Sequence, residues 1–351
     1  MAEMNLAVVP GAWTTSRSRA RGAVGAVLLL AGLTLFVAAL SGATSDTPVW
    51  VRVTMSLAGV AGSCLGVQWV CTAAFGRKID LAFWTSVCWI GLIVLAAVVV
   101  DWLPLAEARD VSQALREPLM APPDLLSRHP LGTDNQGLDI LAGIIYGARV
   151  SLVVSVGATL IGMVVGGLIG IMAGWFGGKI DFVVRLLTDS MLAFPPLILL
   201  LAMVAILRPS VLNVTLALGV LGIPLYIRLA RVAAMVVAPR EYVLAAKTLG
   251  ARSGRIMARE LLPNVALPVL SYGFIVVGVL IVAEASLSFL GLSIARPTPT
   301  WGNMIAAGQN EFQDHPHLVA APGIVLAMTV YAINIIGERM RAKWDPRQNK
   351  L

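Results

Sequence analysis

Charge is scarce in this chain. Asp, Glu, Lys and Arg together make up only 13% of the 351 residues, against 58% hydrophobic residues. A soluble domain carries about 25% charge on its surface, so the bilayer must be the solvent for most of this protein. Cysteine is equally sparse, and Cys64, Cys71 and Cys88 lie in apolar segments with spacings that fit neither a zinc site nor a disulfide framework. The three histidines, His129, His315 and His317, fall in the polar segments and are not spaced with carboxylates, which ranks an intramembrane metalloenzyme last. Alternating ~10-residue segments are missing too, which excludes a membrane β-barrel.

What is there is a series of long apolar runs. Eight can be drawn as spanning helices, at roughly 23–40, 51–75, 81–104, 149–172, 183–206, 212–236, 266–290 and 318–337, since ~20 residues cross the hydrocarbon core. The expectation is an all-α polytopic membrane protein. With the N-terminus inside, 19 of the 26 Lys and Arg residues fall on the inner side, including all five lysines (Lys78, Lys179, Lys247, Lys343, Lys350). The positive-inside rule therefore accounts for the net charge of +7 without a nucleic-acid partner and sets both termini in the cytoplasm. Arg17-Ser-Arg-Ala-Arg21 followed by an apolar run and Ala39-Leu-Ser-Gly-Ala43 also has the form of a signal peptide. Its eighteen apolar residues exceed a usual signal core, and the span is expected to be retained.

The chain divides into an N-terminal region (1–104) with three spans, an external segment (105–148), a core (149–337) and a cytoplasmic tail (338–351). Prolines 118, 122, 123 and 130 block a continuous helix early in the external segment, while Leu138 to Val150 is apolar enough to lie along the interface. Within the core, Gly162, Gly166, Gly170 and Gly174 recur every four residues and give one helix face on which a second backbone can pack closely. Asp181, Arg185 and Asp189 share a face of the next span, where Asp189 needs a partner and Arg185 is one turn away. Pro195-Pro196 interrupts that span, and Pro224 the one after it. Glu284 is the deepest acid near the outer end of the seventh span. It is expected either to contact a substrate amine or to pair with polar groups on a neighbouring helix.

Between the sixth and seventh spans lies a charged segment, Glu241-Tyr-Val-Leu-Ala-Ala-Lys-Thr-Leu-Gly250. Pro239 and Glu241 suit a helix start, and Gly250 is placed to end the helix. Arg252, Arg255 and Arg259 follow as a second, basic helix before Leu262-Pro263. Such a helix–glycine–helix element can dock into a protein groove.

The Ala245-Ala246, Gly250 and Leu262-Pro263 pattern resembles the EAA loop (here 239–263) of binding-protein-dependent ABC importer permeases. Further blocks are similar to the C-type subunit of dipeptide/oligopeptide/nickel importers. They are His129-Pro-Leu-Gly-Thr-Asp134 with Gly137-Leu-Asp139, Tyr146-Gly-Ala-Arg-Val-Ser-Leu152, Glu284-Ala-Ser-Leu-Ser-Phe-Leu-Gly291, Trp301-Gly302, and Asn334-Ile-Ile-Gly337 with Asp345-Pro346. The blocks keep their order over residues 129–346. The resemblance implies a five-helix core of the type I ABC importer permease fold, preceded here by three spans where the family usually has one. Leu138 stands where the family usually has Arg, and Glu260-Leu261 where it often has a basic residue before Leu-Pro.

That resemblance also implies function: half of a translocation pore for peptides or a related small solute, delivered by an extracytoplasmic solute-binding protein. The other half would be a homologous second permease, and two cytoplasmic ATPase subunits would drive the pair. Glu241, Tyr242, Ala245, Ala246, Leu249 and Gly250 are then the ATPase-coupling residues, and Glu284, Pro195 and Pro196 are candidates for the substrate path. ATP and Mg2+ would be bound by the partner subunits and no cofactor by this chain. Its nearest approach to a Walker motif, Gly174 to Lys179, has Ala173 in place of the first glycine and Ile180 in place of Ser or Thr. The competing class is an ion-coupled secondary transporter using Asp189 or Glu284.

Overall fold

The computed structural model describes residues 23–32, 34–35, 80–103, 105, 107–114, 117–124, 127–206 and 210–344. The chain forms two compact units, residues 1–84 and 85–351. Of the first unit the description covers chiefly an apolar helix, Ala23–Gly32, the start of the expected span 23–40. The expected span 51–75 lies outside the described residues.

The second unit is a helical bundle. Its members are α1 (Leu81–Val99), α2 (Ile140–Phe176), α3 (Gly178–Ala193), α4 (Pro196–Ile206), α5 (Val211–Val237), α6 (Glu241–Thr248), α7 (Ser253–Phe289), α8 (Trp301–Gly308) and α9 (His317–Trp344). Helices α1, α2, α5, α7 and α9 are each long and apolar enough to cross a membrane, and α3 with α4 forms a sixth, broken element. Five of the six expected spans from residue 81 onward appear as single helices, and the sixth, 183–206, is the bent pair α3–α4.

One expectation needs correction. The segment Leu138–Val150 does not lie apart along the interface, because Ile140 already begins α2, capped by the Asp139 carboxylate accepting the Ala142 N–H at 2.7 Å. At 37 residues α2 is about 55 Å long, so it stands well clear of a ~30 Å hydrocarbon core. Pro195-Pro196 interrupts its span as expected, and α3 and α4 meet there at 88°. Two prolines in succession remove two N–H donors and force the preceding Phe194 into an extended conformation (ψ 135°). Helix α9 continues past residue 338 to Trp344.

The tightest packing in the unit joins α2 to α5, and the glycine face makes it possible. A Cβ on Gly166 would come within 2.5 Å of the Ile223 carbonyl, one on Gly170 within 2.5 Å of the Ile227 carbonyl, and one on Gly174 within 2.7 Å of the Arg231 carbonyl. Small residues bring the backbones together where lipid offers no hydrophobic drive for association. Helix α1 belongs to the same unit from Thr85 onward. The Trp89 indole donates to the Thr329 hydroxyl on α9 at 3.1 Å, and Arg149 of α2 reaches the Ala97 carbonyl and the Asp101 carboxylate, each at 2.8 Å. Of the three spans expected before the core, this third one is therefore built into it.

The end of the bundle where α2 begins carries a lobe made from residues 105–139 and 290–316. His129 bridges Asp139 (2.9 Å) and Glu117 (3.1 Å), while Arg296 pairs with Asp134. Gly132 has φ +85° and sits against the Ala121 carbonyl, a place no side chain can occupy. Leu138, where the family pattern has arginine, is buried in this lobe at 5% exposure, with its N–H on the Asp134 carboxylate.

Candidate functional site

At the opposite end of the bundle α6 projects between α5 and α7. Arg240 is its N-cap in an extended conformation, so Pro239 lies one residue outside the helix rather than at its first turn. The C-terminus closes as a Schellman motif: the Gly250 N–H donates to the Lys247 carbonyl and the Ala251 N–H to the Ala246 carbonyl, both at 3.0 Å. Gly250 supplies the required left-handed residue at φ +79°. The stop that its position suggested is thus realised in full.

Anchorage on one side leaves the other side free. Val243, Ile256 and Leu261 are buried in the core beside Ala246, Ala251 and Trp175. Tyr242 (43% exposed), Leu244 (48%) and Leu249 (87%) face outward with Glu241 and Ala245. Lys247 places its ammonium 4.2 Å from the centre of the Trp175 ring, which ties α6 to the last turn of α2. Exposed cation–π pairs contribute about 0.5–1 kcal/mol. A double-mutant cycle of Lys247→Met and Trp175→Leu, read by thermal melting in detergent, is expected to return a coupling of that size. Trp175 carries no sequence signal for this role, because it is joined to α6 only by folding.

The entry to α7 explains Leu262-Pro263. Pro263 has no N–H to offer, and the preceding turn, Met257–Leu261, widens to a π-helix in which the Leu262 N–H reaches the Met257 carbonyl. The Asn264 side chain donates to the Glu260 carbonyl at 2.6 Å. Leu261, where the family often has a basic residue, is fully buried.

A polar seam runs between α3 and α5. Asp181 accepts two hydrogen bonds from Arg231, that from Nη2 at 2.8 Å, and a further contact from Arg185 at 3.4 Å. Asp189 pairs with Arg228 at 2.8 Å. The expected Arg185 partner for Asp189 is thereby corrected: Arg185 turns back to Asp181, and Asp189 takes a cation 39 residues away on α5. Sequence periodicity identifies neighbours on one helix and not across two, so Arg228 and Arg231 were legible only as part of a basic inner stretch.

Glu284 takes up the second of its two expected settings, paired with polar groups on a neighbouring helix. It is fully buried, accepting from Ser151 of α2 at 2.9 Å, from Ser288 at 2.6 Å and from Ser293 at 3.5 Å. The enclosed carboxyl links α7 to α2 through Ser151. Glu284→Leu is expected to lower stability by about 1–3 kcal/mol by stranding buried hydroxyls, and Glu284→Gln by less; melting of the purified proteins checks both. Pro195 and Pro196, by contrast, sit exposed at the bend.

Residues 166–350 match the family described as binding-protein-dependent transport system inner membrane component. The chain is 35% identical over 260 residues to the di/tripeptide transport system permease protein DppC of Pseudomonas aeruginosa, covering 73% of this chain and 85% of that protein. It is 34% identical over 221 residues to the glutathione transport system permease protein GsiD of Pectobacterium atrosepticum, covering 63% and 73%. Among solved structures, an inward-facing form of the MetNI methionine ABC transporter superposes with a TM-score of 0.50 at 18% identity, covering 57% of this chain and 96% of that one. The last likeness concerns the fold.

Proposed function

Because this chain belongs to the family of binding-protein-dependent transport system inner membrane components, we propose that it forms half of the pore of an ATP-driven importer for di- or oligopeptides. Its relatives are named for dipeptides, tripeptides and glutathione, which supports a short peptide as cargo. The observation that carries the reading is α6, a short helix anchored through Val243 and closed at Gly250, with Tyr242, Leu244 and Leu249 held outward. An 87%-exposed leucine at the tip of a rigid stub is suited to a hydrophobic groove on a partner.

In this reading Glu241 to Gly250 forms the contact with one of two cytoplasmic ATPases. A homologous permease completes the pore, and an extracytoplasmic binding protein delivers the peptide at the 105–139 end. The lysine and arginine distribution supports a cytoplasmic position for α6 and both termini. ATP hydrolysis belongs to the ATPases, and this chain transmits it through Lys247–Trp175 into α2 and through the buried loop residues into α7.

The test is reconstitution of all five subunits in proteoliposomes. Dipeptide uptake is expected to require ATP and the binding protein, whereas uptake by this chain alone, driven by an ion gradient, would overturn the assignment. Leu249→Glu is expected to reduce ATPase co-purification at least ~10-fold, because a charge on the docking tip must be desolvated on contact; pull-down yields measure it.

A further inference from the structure

The polar seam between α3 and α5 changes character along its length. Asp181 and Arg231 are each only about 15% exposed (15% and 16%) and hold each other through two hydrogen bonds. That pair closes the helix ends near α6. One to two turns farther into the bundle, Asp189 and Arg228 are 62% and 61% exposed, although they too are paired.

Depth makes that exposure informative. Asp189 lies eleven residues beyond the start of α3 and Arg228 nine residues before the end of α5, which puts both ~14–16 Å in from the α6 end at 1.5 Å per residue. Charged side chains at that depth do not face acyl chains; they face a water-lined cavity or a protein partner. A bracing ion pair is normally enclosed, as Asp181–Arg231 is. This one stands open, beside Arg185 and Thr188 in a groove of ≈ 270 Å3.

Immediately beyond the charged pair the groove becomes apolar. Met191, Leu192 and Pro196 on one wall face Leu221, Leu225 and Tyr272 on the other, around a cavity of ≈ 200 Å3. One wall of that space is the 88° break at Pro195-Pro196, so its shape is set by an element whose two halves are not one continuous helix.

We propose that Asp189, Arg228 and Arg185 line the translocation path as a charged subsite for the free amino and carboxylate ends of a peptide, with the adjoining apolar groove taking its side chains. The peptide assignment rests on the proposed function, whereas the placement of the pair in a water-filled path rests on exposure and depth. A zwitterion is the cargo that complements a site offering one anion and two cations beside apolar walls. Before cargo arrives Asp189 and Arg228 satisfy each other; the amino end of the peptide would then replace Arg228 on Asp189, and the carboxylate would take up the guanidinium.

The experiment uses the complete complex in proteoliposomes. Asp189→Cys and Leu187→Cys, the latter 61% exposed on the opposite side of α3, are treated with a membrane-impermeant cationic methanethiosulfonate, with labelling of the wild-type chain subtracted. Cys at 189 is expected to label at least tenfold faster than Cys at 187; equal rates would overturn the path placement. In the same vesicles Arg228→Gln and Asp189→Asn are expected to lose at least tenfold of dipeptide uptake, and the swap of Asp189→Arg with Arg228→Asp not to recover it.

Recovery by the swap would make the pair a brace. Loss of the second permease from the purified Asp189→Asn complex would make it an interface contact. Either result overturns the proposal. Fast labelling of Asp189→Cys, together with a wild-type complex that carries no dipeptide, would retain the path and overturn the peptide assignment together with the proposed function.

Discussion

Replacing Gly250 with proline is expected to reduce ATP-driven uptake by roughly 100-fold, with alanine at the same position causing a loss of about fivefold. The order follows from the Schellman closure of α6. Alanine meets nothing within 4 Å at this site, so its cost is conformational alone, about 1 kcal/mol for a left-handed residue with a Cβ. Proline locks φ near −65° against the observed +79° and deletes the N–H that donates to the Lys247 carbonyl. The combined cost is on the order of 3 kcal/mol.

If only a fraction of chains keeps the docking shape, apparent affinity for the partner falls by that fraction, and 1.4 kcal/mol corresponds to about tenfold. The measurement is uptake per ATP hydrolysed in the reconstituted complex. An alanine variant weaker than the proline variant, or proline at the wild-type rate, would remove the rigid stub from the coupling mechanism.

Gly170→Leu is expected to cost more than about 3 kcal/mol of stability and to collapse the yield of folded protein, whereas Gly167→Leu, three residues earlier, changes stability by less than about 1 kcal/mol. At Gly170 even a Cβ would sit 2.5 Å from the Ile227 carbonyl and 2.8 Å from the Ala230 methyl, so α2 and α5 must part. Forced overpacking costs about 1–3 kcal/mol per site, and more where backbone blocks the new atoms. At Gly167 a Cβ meets nothing within 4 Å, and the site opens into an apolar groove with Met163, Leu168 and Leu262. Thermal melting in one detergent compares the two. Similar losses at both sites would mean that helix propensity, not close approach, explains the glycine series.

These two variants also show how much of the protein can be read before it folds. Gly250 was identifiable as a helix stop because its effect is local, confined to the six residues, 246–251, that close the turn. The glycine series was identifiable as a contact face because a spacing of four survives in any α-helix. The helix it receives, α5, was not identifiable, since Ile223 and Ile227 carry no mark distinguishing them from lipid-facing neighbours. The Leu138–Val150 segment was misread for a related reason. Apolar content alone does not separate an interfacial stretch from the first turns of a helix 37 residues long.

Composition and local pattern were therefore sufficient for the membrane as solvent, for six helical elements beyond residue 81, and for the helix–glycine–helix loop. All of these depend on residues within a few turns of one another. Tertiary structure alone decided that Asp189 pairs with Arg228 and Asp181 with Arg231, that Glu284 is enclosed with Ser151 from 133 residues away, and that Lys247 rests on Trp175. Each of these brings together groups from separate helices, and a charge scarce enough to matter in a bilayer finds its partner wherever packing brings one within reach. The sequence shows which residues cannot face lipid unaccompanied; the fold decides what accompanies them.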